Sequence, residues 1–220
     1  MTFGDIIRNI TMLSKENFRL TLYKPTLCTI LYFLFIPILH GISNLNPEHV
    51  AEVLEKFLSP IGIILFVPLA VPEQDKCIRE IVLVKSFKYV KVMGIRLILA
   101  FTVLCSEFII FTVILVGSGC KFPIISFTIG SLITAMALGS IGILTSILTG
   151  NAIGGYLVSI GYFLLNWIGV IEERSPLYLF SIIENEFEQK LIFVLLIFTN
   201  IMLMILYLKK TATNIDKLQG

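Results

Sequence analysis

The residue most capable of a chemical role is Glu107, an ionisable side chain in the middle of the long apolar run 97–116. An ionisable group at the centre of a bilayer costs about 2.5–3.5 kcal/mol on insertion scales, so it faces a protein interior or a wet cavity. Asn200 has a similar depth in the last apolar run, and Asn166 lies in the run before it. These three side chains are the candidates for lining a substrate path. For Glu107, an interhelical hydrogen bond that only fixes packing is an equally good interpretation.

Other chemistry has less support from the residue types present. The four cysteines are scattered along the chain: Cys28, Cys77, Cys105 and Cys120. None of them pairs at a metal or redox spacing, and His40 and His49 alone cannot assemble a metal site. An enzyme working inside the membrane would need clustered carboxylates or histidines, whereas Glu107 stands alone. We therefore expect no metal, no cofactor and no catalysis in this chain.

The composition predicts the elements that hold these residues. The chain is 56% hydrophobic and 15% charged, against about 45–50% and about 25% for soluble domains. We expect an all-α polytopic membrane protein with six transmembrane helices. The predicted spans are about 25–38, 58–71, 97–116, 124–148, 153–170 and 191–208. The second is short for a crossing of about 20 residues, so it should borrow length from flanking helical segments.

Amphipathic segments surround the spans. Residues 2–20 predict an N-terminal interfacial helix, although a helix packed on its own protein fits the pattern as well. Residues 171–190 predict short outer helices between spans five and six. Asn46-Pro47 resembles a helix start, and Glu55 is among the residues that should form its wet face. Small residues in spans four and five predict that these helices pack closely, with lining of the path as the minority interpretation.

Lysine and arginine counts predict the orientation. With the N-terminus in the cytoplasm, the inner segments carry thirteen basic residues and the outer segments four. The outer four are Lys56, Lys121, Arg174 and Lys190. Because basic residues favour the cytoplasmic side, both termini are expected inside.

The most polar stretch of the first half is 72–96, PEQDKCIREIVLVKSFKYVKVMGIR, which carries six basic residues. It predicts a cytoplasmic loop, and its mixed charge around an apolar centre would suit docking to another protein. A loop that is simply solvated is the alternative. The candidate docking residues are Glu73, Asp75, Lys76, Ile78, Arg79, Glu80 and Ile81.

This order of elements resembles the permease subunit of a "type 2" ATP-binding-cassette exporter. The most specific local match is Glu80 followed by IVLVKSFKYVKVMGIRL, although Lys85 stands where such permeases commonly have proline. The resemblance covers the whole chain and implies one transmembrane permease domain, 1–220, with 72–96 as the coupling loop. It implies a separate ATPase subunit in two copies, which binds ATP and Mg, and a second permease that is the same chain or a paralogue. In agreement, the sequence contains no G-x-x-x-x-G-K-[ST] phosphate loop.

The resemblance also implies a bacterial plasma membrane and an outward-moving cargo. Compact permeases of this kind often expel antimicrobial peptides such as bacteriocins. The apolar span residues favour a hydrophobic or amphipathic cargo, a peptide or a lipid-like molecule. The alternatives are a membrane binding or immunity protein that transports nothing, and an exporter of polysaccharide or lipid. The expected partners include membrane lipid and no nucleic acid.

Overall fold

The computed structural model describes residues 14–74, 89–184 and 187–219, and every regular element within them is helical. The α-helices are α1 Tyr23–His40, α2 Pro47–Glu52, α3 Ile61–Phe66, α4 Tyr89–Gly117, α5 Ile124–Thr149, α6 Ala152–Trp167 and α7 Lys190–Gln219. Two π-helical segments, Phe18–Leu22 and Val53–Leu58, and two 3-10 segments, Val67–Gln74 and Phe187–Gln189, adjoin them. The predicted all-α class is confirmed.

Five helical runs are long and apolar enough to cross a membrane. They are Ser14–His40, Pro47–Val71, Val90–Gly117, Ile124–Thr149 and Phe187–Lys210. The apolar helix α6 is shorter, with 16 residues. At a rise of about 1.5 Å per residue it spans about 24 Å, less than the roughly 30 Å hydrocarbon core. Together these helices support assignment of the chain to the membrane proteins.

The second of these runs, Pro47–Val71, confirms that the short apolar segment borrows length from its neighbours. Its 25 residues join α2, a π-helical segment, α3 and the start of a 3-10 helix. Proline lacks an N–H donor and bends a helix, and here Pro60 lies at the start of α3, where such a donor has no helical partner. The run is 72% buried in its most apolar window, so it forms the centre of the bundle.

The N-terminal region, for which a helix is expected over 2–20, is described only in part. Residues before Ser14 lie outside the described residues. From Ser14 the chain continues without a break through the π segment Phe18–Leu22 into α1. Asn17, Thr21 and Leu22 are buried, so this part packs on its own protein.

The close crossing of α3 and α5 depends on glycine. A Cβ placed on Gly62 would lie 2.0 Å from the Ala135 carbonyl oxygen, so no side chain fits there. The crossing of α5 and α6 uses the same device, since a Cβ on Gly155 would lie 2.4 Å from the Gly142 carbonyl oxygen. The predicted close packing of spans four and five is confirmed.

Three loops meet at one end of the bundle, and we call residues 41–46, 118–123 and 168–184 the capped end. The Asn44 amide donates to the Ser118 carbonyl at 3.0 Å, which joins the first two loops. Helix α6 ends because Gly169 takes a φ of 78°, in the left-handed region that favours glycine. Residues 170–184, which we call the returning segment, then turn back over the ends of the helices.

The expected helices over 171–190 are not observed over residues 171–184, which form turns. Helical residues begin only with the 3-10 segment Phe187–Gln189. The reason lies in the backbone amides of this segment. Those of Leu179 and Ile182 donate to side-chain oxygens of other helices. The amide of Ile183 divides its bond between the Glu55 carboxylate and the Phe180 carbonyl, three residues back.

The candidate docking residues lie almost wholly outside this description. Glu73 belongs to the 3-10 segment Val67–Gln74. The other six, Asp75, Lys76, Ile78, Arg79, Glu80 and Ile81, lie outside the described residues.

Candidate functional site

Glu107 is buried in α4, and one of its oxygens has a partner on another helix. Its Oε1 accepts a hydrogen bond from the Thr29 hydroxyl of α1 at 2.6 Å. Its Oε2 has no hydrogen-bond partner among the described residues. Glu107 therefore forms an interhelical hydrogen bond between α4 and α1, which we call the α1–α4 tie, and its second oxygen stays available for another donor.

We expect Thr29→Val to lower the free energy of unfolding by about 1–3 kcal/mol, because it removes a donor from a buried carboxyl group. Unfolding of the purified chain in detergent would measure the change. Thr102→Val is the control, since the exposed Thr102 hydroxyl donates only within its own helix, to Ile98, and its loss should cost at most about 0.5 kcal/mol. If Thr29→Val lowered the free energy of unfolding equally in a Glu107→Leu variant, the stabilising Thr29–Glu107 hydrogen bond would be contradicted.

Asn200 lies elsewhere, between α5 and α7. Its amide Nδ2 donates to the Ser140 hydroxyl at 3.1 Å. The cavity beside it measures about 20 Å³, room for roughly one water molecule. The space beside Asn200 is therefore too small for a cargo molecule.

Asn166 acts at the capped end. Its Oδ1 accepts from the Leu179 amide at 2.9 Å, and its Nδ2 donates to the Tyr162 carbonyl at 2.9 Å. The neighbouring Tyr162 hydroxyl donates to the Leu177 carbonyl at 2.6 Å. Both side chains of α6 thus hold the returning segment. The three predicted path residues have three separate sets of partners, and the structure does not bring them together.

A buried ion pair between Glu55 and Lys190 is the most connected polar group in the described structure. The Lys190 ammonium contacts Glu55 Oε1, and both side chains are at most 1% exposed. Lys190 Nζ also donates to the Thr134 hydroxyl at 2.7 Å and to the Leu179 carbonyl. All three ammonium hydrogens can therefore be used.

The other oxygen of Glu55 binds the returning segment. Oε2 accepts from the backbone amides of Ile182 at 3.0 Å and Ile183 at 3.3 Å. One carboxylate thus ties the second span, α7 and the capped end, while Thr134 adds α5. A network with every member satisfied fixes one arrangement of these parts, because each unpaired member would be costly in a low dielectric.

This pair corrects one expectation. The spacing of Glu48, Glu52 and Glu55 predicts one wet face, and the charge count places Lys190 in an outer segment without saying whether it is buried. In the structure Glu52 is partly exposed, whereas Glu55 and Lys190 are buried. The sequence carried one usable signal, since Glu55 follows the apolar pair Val53-Leu54 and Lys190 begins an apolar run.

Another buried charged side chain lies at the opposite end of the bundle. Arg96, 4% exposed, donates from Nε to Asn17 Oδ1 at 2.8 Å and from Nη1 to the Leu69 carbonyl at 3.0 Å. Leu69 precedes the polar stretch 72–96, and Arg96 ends it. The guanidinium therefore connects the two ends of that stretch with each other and with the N-terminal helical run.

Within the described ranges, no group of three His, Cys, Asp or Glu side chains is placed to hold a metal ion. Comparisons of the chain with family models, curated proteins and solved structures found no match.

Proposed function

We propose that this chain is the permease subunit of an exporter driven by ATP hydrolysis on a separate ATPase chain. In this proposal α6 completes a six-span layout, and both termini face the cytoplasm of a bacterium. The stretch 72–96 docks on the ATPase, and the capped end faces outward. The cargo is hydrophobic or amphipathic, a peptide or a lipid-like molecule.

The contact of Arg96 with Asn17 and Leu69 carries the proposal. A loop that receives a push needs a stiff connection to the helices that must move. The buried guanidinium on the helix that leaves the loop bonds to the segment that enters the loop and to the N-terminal run, so it can transmit a movement of the loop to both.

The packed interior supports a path between two copies of the permease. Glu107, Asn200 and Asn166 each bind within their own bundle, and the cavity at Asn200 holds about one water. These three side chains therefore do not line one common path within a single copy. Large apolar side chains on α1, α4 and α7 are exposed instead, and paired faces of this kind would suit an apolar cargo.

The first test is copurification of the tagged chain from its native host under gentle detergent conditions, followed by an ATPase assay. We expect an ATPase subunit to copurify and to hydrolyse ATP in the complex. The double variant Arg79→Ala/Glu80→Ala should lose that subunit, because it removes charges from the docking surface. Recovery of the chain without any ATPase would defeat the proposal.

Arg96→Gln separates docking from transmission in the same assay. We expect it to keep the ATPase bound but to reduce cargo-stimulated hydrolysis on the order of tenfold, the size of an ordinary coupling energy. Lys91→Gln is the matched control, since Lys91 is an exposed cation on the same helix. Equal loss in both variants would mean that general loop charge matters and that the Arg96 contact does not.

A further inference from the structure

The capped end contains a charged cleft that the transport proposal does not use. Its volume is about 510 Å³, within the roughly 300–1,000 Å³ of small-molecule sites. It lies between the second span, the end of α6 and the returning segment. Lining residues that bear on its chemistry are Lys56, Trp167, Glu172, Glu173, Arg174 and Tyr178.

The floor of the cleft is aromatic with one cation above it. Lys56 Nζ lies 6.0 Å from the Trp167 ring centroid and 5.9 Å from that of Phe180. The same ammonium donates to Glu52 Oε1 at 2.9 Å, which leaves it two further hydrogens for a ligand. This held but partly exposed cation is suited to an anionic oxygen such as that of a phosphate.

The rim carries both signs of charge. Arg174 is exposed beside Glu172 and Glu173. Tyr178 keeps its proton, because burial raises its pKa to about 12, with Glu173 and Glu184 acting in the same direction. A purely anionic ligand would meet two carboxylates, and a purely cationic one would meet Lys56 and Arg174. A group that carries both charges satisfies both sets.

The mouth of the cleft continues into an apolar surface. Ile168 lines the cleft and is 73% exposed, and Leu164 and Leu165, one turn before it on α6, are exposed as well. A ligand with its polar group in the cleft would therefore have room for hydrocarbon along α6. The occupant that fits all of this is amphiphilic.

We propose that the cleft binds a phospholipid whose headgroup carries a phosphate and a primary ammonium, with its acyl chains along α6. Lys56 and Arg174 bind the phosphate, Glu172 and Glu173 bind the ammonium, and Trp167 covers the glycerol region. This site is independent of the exporter proposal, because it needs neither an ATPase nor transport.

The test uses Trp167, the single tryptophan of the chain, as the probe. The full chain in detergent is titrated with dioctanoyl-phosphatidylethanolamine while its tryptophan fluorescence is recorded. We expect a saturable change, with a Kd about tenfold higher in Lys56→Gln and in Arg174→Gln, since each loses a charge-assisted bond. Lys121→Gln, an exposed lysine on the same end and outside the cleft, should leave the Kd unchanged.

Three further titrations make the assignment specific. Dioctanoyl-phosphatidylglycerol has the phosphate without the ammonium, and O-phosphoethanolamine has the headgroup without chains; each should bind at least about tenfold more weakly. Equal binding of either would overturn the proposed ligand. A saturable response to a pentalysine peptide but not to phospholipid would overturn it too and assign the cleft to cationic peptides. The Arg174 side chain is exposed, so Arg174→Gln should not disturb the fold. If its Kd for the phospholipid were unchanged, the proposed phosphate site would be wrong.

Discussion

Glu55→Gln and Lys190→Met are each expected to lower the free energy of unfolding by about 3–5 kcal/mol, because either change leaves one buried charge uncompensated. Glutamine keeps an oxygen that can accept from the Ile182 and Ile183 amides, so the loss in Glu55→Gln reports on the charge. Detergent unfolding followed by Trp167 fluorescence measures the change in stability.

The double variant Glu55→Gln/Lys190→Met is expected to cost less than the sum of its two single changes. It leaves no unpaired charge, and buried ion pairs replaced by neutral groups are often close to neutral in stability. Glu52→Gln is the control, because Glu52 forms a partly exposed pair with Lys56, and such pairs contribute about 0–1 kcal/mol. Single variants that behave like Glu52→Gln would show that water reaches the pair.

Gly62→Ala should destabilise the chain by about 1–3 kcal/mol, the usual effect of overpacking a close-packed core. The added methyl group would lie 2.0 Å from a backbone oxygen of Ala135, and backbone cannot rotate out of the way as a side chain can. Helices α3 and α5 must therefore move apart. The midpoint of thermal unfolding in detergent measures the effect.

Gly161→Ala is the matched control on α6. A Cβ at Gly161 meets nothing within 4 Å, so alanine there should be neutral or stabilising by up to about 1 kcal/mol through helix propensity. Equal destabilisation by both changes would point to a general sensitivity of helical glycines. Stabilisation by Gly62→Ala would rule out the close crossing.

Hydropathy predicted the helices because it depends on local composition. The runs around Glu107 and Asn200 are long and apolar enough to cross a membrane, and length and composition alone are enough to identify such helices. The borrowed length of Pro47–Val71 also followed from local sequence, since the segment before it had a helix start at Asn46-Pro47.

Local composition does not predict which side chains from distant parts of the sequence contact each other. Glu55 follows Glu48 and Glu52 at helical spacing, so its side chain looked like one of a solvated set. Its partner Lys190 is 135 residues away, and no local pattern encodes that distance. The same holds for the returning segment, whose apolar residues suggest amphipathic helices until Asn166 and Glu55 are seen to accept from its amides.

The distance between Glu55 and Lys190 has a consequence for biosynthesis. A chain emerging from the ribosome exposes the second span long before the last one exists, so its carboxyl group enters the membrane without a counter-ion. Until 135 more residues have been made, either the translocation machinery must shelter this carboxyl group or the group must stay protonated and neutral. Completion of the final helix then locks the earlier ones. Nascent chains that stop before residue 190 should therefore be recognised and degraded by membrane quality control, and full-length chains should escape it.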